Sequence, residues 1–85
     1  VVISFGSTLC TATHDIKDPS YPLTGAPIQV GSDVWIAAES FILPGRRISE
    51  GAVVGARSLV VQDVPAWKVV AGNPARVVAD RKLAP

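Results

Sequence analysis

The chain contains a single histidine, His14, the one side chain whose ordinary pKa lies near neutrality. A neutral imidazole within reach of a hydroxyl can take its proton, and an alcohol is a weak nucleophile while that proton remains. Two carboxylates follow closely, Asp15 and Asp18. Either could orient the imidazole, since a base must be oriented to work well. The alternative, favoured for both, is that they cap backbone groups of a local turn. A lone histidine is a weak signal, so general base and solvated loop residue both stand at this point. The single cysteine, Cys10, excludes an internal disulfide, and one His with one Cys falls short of an ordinary zinc site within one chain.

The elements that must position these groups belong to one small domain, since the chain has 85 residues. Hydrophobic residues at 48% against charged residues at 18% exclude a disordered composition. A formal charge of +1 supplies no electrostatic footprint for nucleic acid or an anionic membrane. No apolar run approaches the roughly 20 residues of a membrane span. The chain opens at Val1 in mid-pattern without an initiator Met, which reads as a fragment or a processed chain and leaves an upstream targeting signal open.

The dominant pattern is a repeat. An aliphatic residue recurs at every sixth position: Val30, Ile36, Ile42, Ile48, Val54 and Val60, all β-branched. Val and Ile make up 19 of 85 residues, so six in succession has odds of about 10⁻⁴ in one frame. A helix would scatter these positions, because six residues advance it by about 600°. Gly31, Pro44, Gly45, Gly51 and Gly55 would also break it. Short extended segments joined by tight corners fit instead, with the aliphatics pointing inward and small residues allowing the turns. Stacked coils of this kind pair strand on strand at about 4.8 Å and form a parallel β-helix.

Ile3 and Leu9 share the phase, but the 21 positions from Leu9 to Val30 are not a multiple of six. Pro19, Pro22, Gly25 and Pro27 mark the departure as a loop. The expected organisation is a partial first coil over 1–14, an excursion loop over 15–29, hexapeptide coils over 30–65 and a cap over 66–85. In the cap, Val69-Val70 and Val77-Val78 read as two strands joined through Gly72-Asn73-Pro74. The N-terminal end opens without a cap, which calls for further coils or a partner, and so small a core favours an oligomer. Alternation turns Trp35 outward, as an interface anchor or a ligand wall. Arg46 occupies a slot that prefers a small residue. Its head group is expected to escape through a corner or to pair with a carboxylate such as Glu50.

Four separated stretches closely resemble the hexapeptide-repeat acyltransferases. They are Val30-Gly31-Ser32-Asp33-Val34-Trp35-Ile36, Gly51-Ala52-Val53-Val54-Gly55-Ala56-Arg57-Ser58, Asp63-Val64-Pro65 and Ala71-Gly72-Asn73-Pro74-Ala75-Arg76-Val77-Val78. The sugar O-acetyltransferase branch is the most similar, including the colanic-acid, galactoside and maltose types. Leu9-Cys10-Thr11-Ala12-Thr13-His14-Asp15 is similar to the stretch that carries that family's catalytic His. The resemblance implies an all-β, left-handed parallel β-helix with three hexads per coil, assembled as a homotrimer. Handedness comes from the resemblance alone, since parallel connections are normally right-handed.

The resemblance further implies an acetyl-CoA-dependent O-acetyltransferase, cytoplasmic and bacterial, with a sugar or related hydroxyl acceptor and no metal. His14 is then the general base, with direct attack of the acceptor oxygen on the thioester, and Trp35 is a site wall near it at a subunit boundary. Ala38 and Ala56 match positions where a larger side chain would close the pantetheine groove, although ordinary corner packing explains them as well. Arg76 matches an Arg associated with the phosphate-bearing end, a task that suits a guanidinium, against the reading of a solvated terminal charge. Trp67 either packs the cap or meets the nucleotide end. Relatives often carry Thr-Lys where this chain has Val61-Gln62, so one coenzyme contact is neutralised at Gln62 and passes to Arg76, Lys68 or Arg81.

Other functions on such a coil fare worse. A γ-type carbonic anhydrase needs three His per zinc, and an ice-binding face needs a Thr ladder where this chain has four Thr, none after Thr24. A non-catalytic trimeric scaffold, or a truncated remnant of such an enzyme, is the alternative to the transferase.

Overall fold

The computed structural model describes residues 1–85, with twelve strands and no helix. Three parallel ladders form the body. The first stacks β1 (Val2–Ile3), β6 (Trp35–Ile36), β9 (Val53–Val54) and β11 (Lys68–Gly72). The second stacks β2 (Thr8–Leu9), β7 (Phe41–Ile42) and β10 (Leu59–Val60). The third pairs β5 (Gln29–Val30) with β8 (Arg47–Ile48), and a bridge from Ile48 to Val64 extends it. Trp35 pairs with Val53, Phe41 with Leu59 and Gln29 with Arg47, each 18 residues apart. Three six-residue sides therefore make one coil, and each strand meets its counterpart one coil later.

The aliphatic column is the core. Ile36, Ile42, Ile48 and Val54 are wholly buried, and Val60 is 1% exposed. The positions four residues on are also inward: Val34, Ser40, Ala52, Ser58 and Val64 are all buried. Two of these are hydroxyls, and each is satisfied at the corner between the first and second ladders. Ser40 Oγ donates to the Gly55 carbonyl at 2.9 Å, and Ser58 Oγ donates to the same oxygen at 2.7 Å. Ser7, one coil earlier, donates to the Ala37 carbonyl at 2.9 Å. Arg46 bonds neither Glu50 nor any other carboxylate. Its guanidinium donates to the carbonyls of Pro44 and Val61, both at 3.3 Å, because corner carbonyls lie nearer to its slot.

Corners repeat as strictly as strands. Asp33, Glu39, Gly45, Gly51 and Arg57 all have positive φ, between 58° and 75°, at six-residue spacing. Only glycine adopts this conformation without cost. At Gly51 the demand is doubled, because a Cβ would also overlap the Trp67 ring.

The excursion starts earlier than its composition indicates. Val2 pairs with Trp35 and Thr8 with Phe41, offsets of 33 residues, so 15 residues leave the 18-residue coil. They form a projecting arm, an antiparallel hairpin of β3 (Ala12–His14) and β4 (Leu23–Gly25) with His14 opposite Leu23. Cys10 N–H makes a coil bond to the Ile42 carbonyl at 3.0 Å, and Ala26 N–H closes the neck on the Thr11 carbonyl at 3.0 Å. Hairpin pairing satisfies the backbone of Ala12–His14 away from the coil, so His14 sits on the arm and not on a hexad.

The C-terminal end closes by changing strand direction. Val69 pairs with Val53 at an offset of 16, the last coil being two residues short. After the Gly72-Asn73-Pro74 turn, β12 (Ala75–Asp80) runs back antiparallel to β11. Trp67 then lies over Gly51. Arg81 stacks 5.6 Å from that ring and donates to the carbonyls of Asp33 at 2.6 Å and Gly51 at 3.0 Å. At the other end Ile3 is 47% exposed where Ile36 is fully buried.

Two substitutions test this account by denaturant unfolding. Ile48→Ala is expected to cost about 2–5 kcal/mol, the range for a buried Ile cut back to Ala. Gly51→Ala is expected to destabilise by more than about 1 kcal/mol, through its positive φ and the Trp67 overlap. In a Trp67→Ala background the steric part of that cost disappears, so a strictly additive double mutant would contradict the packing described.

Candidate active site

His14 ends β3, and its imidazole is held from across the hairpin turn. Nδ1 lies 2.7 Å from the Tyr21 carbonyl oxygen. A carbonyl only accepts, so Nδ1 carries the proton and donates. The lone pair of the neutral ring is then on Nε2, on an exposed arm with room for an incoming hydroxyl.

Neither neighbouring carboxylate bonds the imidazole. Asp15 Oδ1 accepts the Lys17 N–H at 2.9 Å. Asp18 Oδ1 accepts the Ser20 N–H at 3.0 Å and the Ser20 hydroxyl at 2.9 Å. These bonds, the N–H first and the hydroxyl second, hold the Asp18 carboxyl below its ordinary 3.8. Both acids are turn-formers. The group that orients the imidazole is the main-chain carbonyl of Tyr21, which sequence reasoning missed because a backbone acceptor has no side-chain signature. Tyr21 has φ of 50°, unusual for a bulky aromatic residue, and this is the outlier that marks it.

The other expected site residues lie elsewhere on the prism. The arm leaves between the second and third ladders, whereas Trp35 is on the first. Trp35 is 46% exposed, with Nε1 donating to Ser4 Oγ at 3.0 Å. It lines a groove with Val2, Asp33, Trp67 and Arg81. Within one chain, then, Trp35 and His14 are on different sides. Ala38 and Ala56 stack at the corner between the first and second ladders, where the Arg57 N–H bonds the Ala38 carbonyl at 2.9 Å. An exposed Arg57–Glu39 ion pair at 3.4 Å flanks them.

Gln62 and Arg76 do come together. They line a cleft of about 330 Å³ with Asp63, Pro65, Ala75 and Val77, where the last coil meets the cap. Of the three cations expected to serve coenzyme phosphates, Lys68 is paired with Asp80 and Arg81 is spent on coil carbonyls. Arg76 is exposed, with Nη1 on the Ala75 carbonyl at 3.0 Å and no carboxylate partner. No three His, Cys, Asp or Glu side chains converge anywhere in the chain.

No protein-family model matches the chain. It is 44% identical over 80 residues to the Escherichia coli (strain K12) protein named as the colanic acid biosynthesis acetyltransferase WcaF, covering 94% of this chain and 44% of that protein. A hexapeptide-repeat acetyltransferase of Vibrio cholerae O1 biovar eltor, solved with acetyl-coenzyme A, superposes with a TM-score of 0.87 at 32% identity. That match covers 94% of this chain and 46% of the other. A galactoside acetyltransferase in complex with coenzyme A gives a TM-score of 0.88 at 32% identity, over 95% of this chain and 42% of the other. The chain thus spans less than half the length of each. Over the residues it does span, the chain is similar in sequence and in fold to the hexapeptide-repeat acetyltransferases.

Proposed function

We propose that the chain carries the basic arm and the coenzyme surface of an acetyl-CoA-dependent O-acetyltransferase whose acceptor is a sugar or related hydroxyl. The observation that supports this most is the Nδ1–H···O=C bond from His14 to Tyr21, which leaves Nε2 as an accessible base. Relatives named for colanic acid biosynthesis and for galactoside acetylation support the acceptor class. Structures holding coenzyme A and acetyl-coenzyme A support the donor.

The residues divide the work as follows. Nε2 of His14 takes the acceptor proton as the oxygen attacks the thioester carbonyl, and the resulting imidazolium returns it to the departing sulfur. The Tyr21 carbonyl holds the ring in one tautomer through both transfers. Ala38 and Ala56 keep a corner open for a slender pantetheine arm. Arg76, beside Gln62, offers a guanidinium for phosphate. Because the arm and the Ala38–Ala56 corner occupy different corners of one prism, a complete site takes the arm of one copy and the corner of another. The trimer and the left-handed winding belong to this reading, and they follow the family's pattern.

Two measurements test it. His14→Ala is expected to lower acetyl transfer, followed as thiol release from acetyl-CoA, by roughly 10²–10⁴-fold. A variant as active as the parent removes His14 from the role. Gln62→Lys, which restores the charge that relatives carry, is expected to tighten coenzyme A binding up to about fivefold at low ionic strength. The gain should fade with added salt, and an affinity unchanged at low salt would show that Gln62 does not face the coenzyme.

A further inference from the structure

We infer that Asp18 is a positioning residue for His14, acting through Tyr21, whose carbonyl the Asp18 turn holds against the imidazole. The inference rests on the reading of His14 as the base. Three hydrogen bonds run from Asp18 to the two residues that end the turn. Its carboxylate takes the Ser20 N–H at 3.0 Å and the Ser20 hydroxyl at 2.9 Å, and its carbonyl takes the Tyr21 N–H at 2.9 Å. Pro19 stands between these partners and fixes its own φ, which limits the turn to few conformations.

Tyr21 is the residue this turn constrains. Its φ of 50° is strained for an aromatic residue, and its side chain recovers little, being 60% exposed. The interaction gained by that conformation is the 2.7 Å bond to His14 Nδ1. Nothing else is available for the purpose. Residues 11–25 are exposed throughout, so no core packing holds the ring, and Asp15 is occupied with Lys17. An imidazole on a solvated arm would otherwise sample both tautomers and several rotamers. The Asp18 turn replaces the carboxylate partner that a base of this kind commonly uses.

Side-chain ¹⁵N NMR of the chain reads this directly, because the single histidine gives one pair of ring nitrogens. At about pH 8.5, where an ordinary imidazole is neutral, the parent should show the Nδ1–H tautomer. Asp18→Asn, which keeps the Oδ1 acceptor, should match the parent. Asp18→Ala should move toward the mixture of a free imidazole, and Ser20→Ala should move the same way by less. Acetyl transfer should fall about fivefold in kcat for Asp18→Ala, with KM for acetyl-CoA unchanged, and recover in Asp18→Asn. An Ala variant that keeps the parent tautomer, or an Asn variant that loses it, overturns the inference. A parent chain without any transfer activity sinks the proposed function instead, and the tautomer comparison still decides the role of Asp18.

Discussion

Everything in this molecule depends on a chain that can turn after every two extended residues without losing phase. The strands of the three stacked sides are too short to hold a sheet alone, and each is stable because an identical one lies a coil away. That repetition requires one backbone reversal of the same kind at each corner, and the positive φ values from Asp33 to Arg57 supply it. Where glycine is absent, Asp33, Glu39 and Arg57 take the same conformation at a local cost. The buried aliphatic column and the corner serines offset that cost, since every coil adds another layer of Val or Ile and closes another carbonyl.

Burial therefore falls off with distance from the column. The central coils bury their aliphatics completely, while the arm has no buried residue and is defined by hydrogen bonds alone. Such a division suits the chemistry assigned to it. In the proposed reading the coil offers a fixed surface to a long, thin molecule, and His14 stands clear of that surface on the exposed arm. The cap follows the coil's logic in reverse. Trp67 and Arg81 cover a corner with an aromatic plane and a guanidinium because no further corner continues the stack.

The β-branched residues at sixfold spacing made the core and the strand direction readable from the sequence, because period and burial have the same cause. The corners were only half readable. Gly45 and Gly51 announce a positive φ, but Glu39 and Arg57 carry no such sign, and their conformation is imposed by coils above and below. The arm's start was misplaced by three residues, since Ala12–His14 alternates as a coil strand would, and proline and glycine become dense only later. Asp15 and Asp18 behave as turn-forming acids, as their positions indicate. The Tyr21 carbonyl and the carbonyl ligands of Arg46 were invisible because main-chain oxygens exist at every position.

The arm leaves and rejoins the coil without disturbing it: the strands before it and after it pair in the same register on two adjacent sides. Its length is thus decoupled from the geometry of the prism. Insertions, deletions or a wholesale exchange between residues 12 and 25 would leave the stacking of Ile36, Ile42 and Ile48 as it is. The arm can then vary on an unchanging frame, so a chain of this design can change what it projects from that corner without having to solve its folding problem again.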